Sequence, residues 1–382
     1  MDASSAPRKK LVLAKVKTKG AHVAQSERDE DIEGLDTPGG FRDYPLDSLM
    51  IRTETRTIHD VVIRRIEKGA YIMDPDFQRE FVWDEERQSR LIESVLMRIP
   101  LPVFYLAENM DGKLVVVDGL QRLTTFQRFL NGQLSLRLEN EELKGNFFDD
   151  LVPKLQNRIE DTQLTLYLID AKVPERARLD IFERVNSGVA LSRQQMRNAL
   201  YQGEATKLLR ELAKNSIFLE ATGKSLQTKT MRDREAINRF AAFHLLGPDK
   251  YKDDMDQFLA DALKQINGMN EQQIGALTNR FLQSMQNNLA VFGKHAFRKH
   301  DGTRETRSVF NMSLFDVFST GLARYAPQVV QRHEDALRAG FFQLMKQEDY
   351  VRDITYGTSD QLRVKGRFAA TENLLREVFD AE

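Results

Sequence analysis

The feature that most limits the fold is a change of periodicity near Pro174. Before it, short apolar runs with strand character alternate with helical ones; after it, strand patterns nearly vanish and helical spacing continues to the end. Two such regimes in one chain predict an α+β module followed by a helical one. Residues 45–172 are expected to form a mixed sheet with short helices, and residues 173–382 a mostly helical domain. A chain of 382 residues is long enough for this division.

Residues 1–44 are expected to be a disordered charged tail. Positions 1–20 hold six basic side chains against Asp2, whereas 27–36 hold six acids against Arg28. Opposed charge blocks bury too little apolar area to offset chain entropy. With 56 Lys+Arg and 57 Asp+Glu, the chain has a formal charge of −1, so any nucleic-acid contact must be a local patch. The best patch outside the tail is GKHAFRKHDGTRETRS, residues 293–308, in which His295 and His300 lack metal-ligand spacing. Cys is absent, which excludes disulfides, thiolate metal sites and cysteine nucleophiles. No apolar run reaches a membrane span, and a cytoplasmic protein without membrane contact is expected.

Local signals are clear in the first module. LMIRTETRT alternates like a strand, and Thr57 with Asp60 forms a helix start closed by Gly69. The helix after Asp84 carries Leu91, Ile92, Val95, Leu96 and Ile99 at helical spacing and stops before Pro100. VFYLAE and KLVVVD flank Asp111-Gly112, a hairpin signal. LSLRLEN and LTLYLID are predicted as further strands, around a helix near 148–160. Trp83, the only tryptophan, is expected in the core.

Three segments carry candidate chemistry. In VVVDGLQRLTTF, residues 115–126, an apolar strand delivers Asp118 to a Gly119 turn that opens a helix. Amide donors at that helix start, with Arg122, Thr124 and Thr125, make an anion site. Asp118 holds Mg²⁺, polarises a water or caps the helix; the residues alone leave these open. In DPDFQREFVW, residues 74–83, strand alternation puts Arg79 between Phe77 and Phe81, with Gln78 on the opposite face. In IFERVNSGVALSRQQMRNA, residues 181–199, Arg184 and Asn186 precede a break at Gly188, and Ser192 with Gln195 restarts the helix.

In chain order, DPDFQREFVW, LIESVLMRIPLPVFYL, VVVDGLQRLTTFQRFLNG and IFERVNSGVALSRQQMRNA together resemble the GmrSD-type restriction system N-terminal domain family. Its fold is ParB/sulfiredoxin-like, and the resemblance covers roughly residues 50–245. It implies a nucleotide-binding, NTP-hydrolysing module of a bacterial defence system that acts on or senses foreign DNA. The family's Asp-Gly-Gln-Gln-Arg motif falls on Asp118, Gly119, Gln121 and Arg122, with Leu120 where the first Gln would be. A Leu neither donates nor accepts a hydrogen bond.

The resemblance implies an NTP and Mg²⁺ as cofactors. DNA and a nuclease partner chain are the implied partners. Asp118, Gln121 and Arg122 become the catalytic candidates, with Asp118 as metal ligand. Gly119, Arg122, Thr124, Thr125, Gln78, Arg79, Arg184 and Asn186 become the nucleotide-binding set. Two alternatives stay open: a non-catalytic DNA- or partner-binding regulator, and a Mg-dependent ParB-like nuclease using Asp74, Asp76, Glu93 and Asp118.

Overall fold

A computed structural model of the chain describes residues 32–35, 51–73, 83–109, 111–185, 191–303 and 305–380. The first module is built on five strands: β1 (Ile51–Thr57), β2 (Tyr71–Ile72), β3 (Phe104–Glu108), β4 (Leu114–Asp118) and β5 (Gln163–Ile169). Their spatial order is β1-β5-β3-β4-β2. β1 is antiparallel to β5, β5 parallel to β3, β3 antiparallel to β4, and β4 parallel to β2. Helices α1 (Glu85–Leu96), α2 (Leu120–Leu130) and α3 (Pro153–Glu160) belong to the same module.

Several local signals act as expected. The amide of Asp60 donates to Thr57 Oγ1 at 3.1 Å, opening a π-helical segment over Asp60–Ile66. β3 and β4 form the hairpin, with Asn109 Oδ1 accepting from the amides of Asp111 and Lys113 and Gly112 at φ +73°. Ser192 caps the next helix with Gln195 in a reciprocal pair.

Two local expectations are corrected. LSLRLEN is not a strand. Leu134, Leu136 and Leu138 are buried at every second position, as the alternation predicts. Their backbone has no ladder partner: Leu136 exchanges hydrogen bonds with Gly145 and Asn146 of the following turn, and the amide of Arg137 donates to Ser89 Oγ of α1. Period-two burial needs an extended chain, not a ladder partner. α1 ends at Leu96, three residues before Ile99, because Arg98 turns left-handed at φ +59°.

The sheet is covered on both faces. Leu164, Leu166, Leu168, Leu106 and Val116 pack with Ile92, Val95, Phe126 and Ile159 of the flanking helices. Ala107, Val115, Val117 and Ile169 belong to a second core shared with the helical region. The expected boundary at 172/173 is therefore crossed by continuous apolar packing.

The helical region comprises α4 (Glu175–Val185), α5 (Arg193–Leu200), α6 (Glu204–Ala213), α7 (Ser216–Thr222) and α8 (Arg232–Leu245). It continues with α9 (Met255–Asn267), α10 (Glu271–Phe292) and α11 (Met312–Leu322). It closes with α12 (Pro327–Arg332), α13 (Glu334–Leu344), α14 (Glu348–Asp353) and α15 (Gln361–Phe379). Its interior holds charges that no periodicity announces. Asp316 on α11 accepts from Arg239 of α8 and Arg367 of α15, and all three side chains are buried. No described helix is long and apolar enough to cross a membrane.

One part of the expected tail docks. The amide of Glu33 donates to the Phe310 carbonyl at 2.9 Å, and the amide of Met312 donates to the Glu33 carbonyl at 2.9 Å. The Glu33 carboxylate takes Lys299 at 2.6 Å and Asn311 at 3.1 Å. The acidic block is thus not wholly solvated: one of its carboxylates finds a cation 266 positions away. The rest of the tail lies outside the described residues.

Candidate functional site

β4 ends in a bulge. Tyr105 pairs with Asp118 and Leu106 with Val116, so Val117 is the extra residue. Bulges re-aim side chains and occur beside functional sites. Here the bulge immediately precedes Asp118, and the chain turns at Gly119 into α2. Gly119 is N-cap at φ +104°, and no side chain caps the helix. A Cβ at this position would lie 2.3 Å from Phe104 Cδ1, so backbone and ring approach too closely for any other residue.

Arg122 sits in the first turn of α2 and is almost fully engaged. Its Nη2 donates to Asp118 Oδ2 at 2.8 Å and to the Val103 carbonyl at 3.0 Å. Nη1 donates to the Pro102 carbonyl, and the guanidinium lies 4.1 Å from the Phe104 ring centroid. Its side chain is 11% exposed, against 34% for Asp118. The guanidinium therefore clasps the Pro102–Phe104 segment to the start of α2. A phosphate could take Arg122 only in competition with a carboxylate and two carbonyls. Burial pushes the Asp118 carboxyl above the usual carboxylate range, opposed by Arg122 and the Gly119 amide. Burial also lowers the Arg122 guanidinium. At 2.8 Å the pair is nevertheless best described as ionic, because each charge is the other's nearest compensation.

The remaining candidates divide. Gln121 Oε1 accepts from the amide of Trp83 at 3.3 Å. The Trp83 carbonyl in turn accepts from Gln88 Nε2 at 2.9 Å, and the side chain, half-buried, packs against the edge of the core. The segment that carries Gln78 and Arg79 is thus fastened at its end beside α2, although Asp74, Asp76, Gln78 and Arg79 themselves lie outside the described residues. Thr124 is half-buried on the second turn. Thr125 is buried, and its hydroxyl donates to the Gln121 carbonyl at 2.7 Å. It therefore faces the core and not a ligand, because position 125 falls on the same helix side as Phe126 and Phe129. Arg184 is exposed in the last turn of α4. Asn186 lies outside the described residues.

The basic segment 293–308 is largely spent internally. Arg298 is buried and donates to the carbonyls of Ala296 and Thr222 and to Ser225 Oγ. Lys299 is tied to Glu33 and Thr355, and Arg307 donates to the Gly223 carbonyl. No group of three or more His, Asp or Glu suited to a metal occurs among the described residues. Reading the sequence alone missed Phe104 and the Pro102 and Val103 carbonyls, which define the site. Their only trace is Pro-Val-Phe, residues 102–104, leading into β3, a pattern with no chemistry of its own.

Comparison with known proteins returns one finding. Residues 58–202 match the family described as GmrSD restriction endonuclease, N-terminal domain. The match ends before α8, so the expected extension of the resemblance to about residue 245 lies outside it. No curated protein matches the chain, and no solved structure does.

Proposed function

We propose that this chain, whose residues 58–202 match the family described as GmrSD restriction endonuclease, N-terminal domain, is the nucleotide-binding and NTP-hydrolysing part of a restriction-like defence system that acts on or senses foreign DNA. The observation that carries the reading is the start of α2: a helix without a side-chain cap, reached by a strand that ends in a bulge, beside a partly exposed carboxylate. Backbone amides and the helix dipole favour a phosphate there.

In this reading Asp118 holds Mg²⁺ or orders the attacking water, and Gln121 joins the site to the Trp83 end of the Gln78–Arg79 segment. Arg122 acts by positioning, since its donors hold the loop that frames the helix start. Phosphoryl transfer asks little beyond such placement and charge. Leu120 is packed partly against the core, so the first position of α2 contributes no hydrogen bond to a nucleotide.

The test combines calorimetric binding of ATP, GTP, CTP and UTP with phosphate release in Mg²⁺. Asp118→Asn should keep binding and lose turnover. Arg122→Ala should lose binding through collapse of the Pro102–Phe104 loop. Equal phosphate release by wild type and Asp118→Asn would remove hydrolysis. The second reading, a ligand-sensing regulator, is favoured by the engaged state of Arg122; nucleotide binding without turnover in the wild type would select it.

A further inference from the structure

The most unusual surface of the first module lies at the end of α1, in the segment that runs into the loop holding Arg122. The helix ends in a Schellman turn: the Arg98 amide donates to the Val95 carbonyl at 2.9 Å, and the Ile99 amide to the Ser94 carbonyl at 2.9 Å. This turn needs a left-handed residue, usually glycine. Arg98 occupies it at φ +59°. An L-residue there is strained, and the Arg98 side chain has no hydrogen bond or ion pair with another described residue.

The neighbours of Arg98 are equally ill-suited to water. Met97 is 65% exposed, Ile99 47%, and Val152, at the start of α3, 60%. Few large apolar side chains of the described chain are this exposed, and two of them, Met97 and Ile99, flank the strained arginine in the chain. Between α1 and α3 lies a cleft of about 480 Å³. Val95, Ile99 and Leu101 line it, together with the cations Arg98, Lys154 and Arg158 and the acid Asp161. Lys154, like Arg98, pairs with no described residue. Arg158 is committed to the Leu96 carbonyl at 3.0 Å and closes α1.

We infer that this cleft docks an acidic segment of a partner protein that inserts one large apolar side chain. Apolar side chains mixed with three cations and one acid are the make-up of a protein interface site. Two unpaired cations supply the charge complementarity. Nucleic acid fits less well: no aromatic lines the cleft for base stacking, and Asp161 faces any phosphate track. The occupant would lie against Arg98–Leu101, the segment that continues into Pro102 and Val103, whose carbonyls hold Arg122. The inference does not rest on the nucleotide site, and its test reads peptide binding and not turnover.

The experiment pans a displayed library of random 14-residue peptides on the full chain. Counter-selection uses the double variant Arg98→Gly, Lys154→Ala. Arg98→Gly suits the left-handed turn better than arginine, so the variant stays folded, and a thermal melt equal to or above wild type certifies this. The expected result is enrichment of peptides rich in Asp and Glu around one Leu, Phe or Trp. Their affinity should fall about tenfold or more in the double variant and also in Ile99→Glu. Enriched peptides that bind wild type and variant alike, or no enrichment at all, would overturn the inference. So would a labelled 20-mer DNA duplex whose binding the same double variant weakens.

Discussion

Substituting Gly119 by alanine tests the geometry of the candidate site most directly. Two costs add. The residue sits at φ +104°, outside the space an L-side chain prefers, which costs about 1–2 kcal/mol. The new Cβ would stand 2.3 Å from Phe104 Cδ1, and that ring cannot retreat: it is fully buried, with the Arg122 guanidinium 4.1 Å above its centroid. Overpacking of this kind costs about 1–3 kcal/mol. Gly119→Ala should therefore lose about 3 kcal/mol, a large share of the 5–15 kcal/mol or so that holds a typical domain. Phe104→Leu alone should lose about 1–2 kcal/mol, from packing and the lost cation contact. The double variant should lose less than the sum by about 1–2 kcal/mol, because the smaller side chain removes the clash and leaves only the backbone strain. Urea denaturation of the four proteins measures the cycle. Additivity within about 0.5 kcal/mol, or a cost for Gly119→Ala below about 1 kcal/mol, would refute the reasoning.

Asp316→Asn should cost about 3–5 kcal/mol, because it leaves Arg239 and Arg367 buried without their shared carboxylate; a thermal melt within 2 °C or so of wild type would contradict the triad. Arg98→Gly should raise stability by about 1 kcal/mol by relieving the left-handed turn, measured by the urea midpoint; a loss would show that the arginine side chain stabilises the fold itself. His244 packs flat on Phe240 at 5.3 Å, and burial, then Arg280, lowers its pKa. The unfolded chain therefore binds a proton near pH ~6.5 that the folded chain refuses. Its stabilising contribution is full above that pH and is lost as the pH falls through it. His244→Phe should lessen the fall in melting temperature between about pH 7.5 and 5.5; an unchanged fall would assign the effect to other groups.

Arg122 shows how far the residues by themselves lead. Its place on the first turn of a helix after β4 is legible, because an apolar run ending in Asp-Gly permits little else. That it grips carbonyls and a ring was not legible, because Pro102, Val103 and Phe104 enter only when β3 pairs antiparallel with β4. Thr125 teaches the same from the other side: a hydroxyl beside an anion motif reads as a ligand until the helix is phased against the core. Leu134–Leu138 shows burial without a ladder, since alternation records which face is dry and not what the backbone bonds.

The chain alone determined what operates within one turn or one hairpin: the Thr57–Asp60 helix start, the Asp111-Gly112 hairpin, the Ser192–Gln195 capping pair and the passage from mixed sheet to helices at Pro174. These depend on hydrogen bonds and burial between residues near in sequence, so local pattern suffices. Tertiary structure decided which charges meet: Glu33 with Lys299, Arg239 and Arg367 with Asp316, Arg122 with the Pro102–Phe104 segment. A buried charge takes whichever partner the topology brings within reach, and that neighbour is distant in the chain.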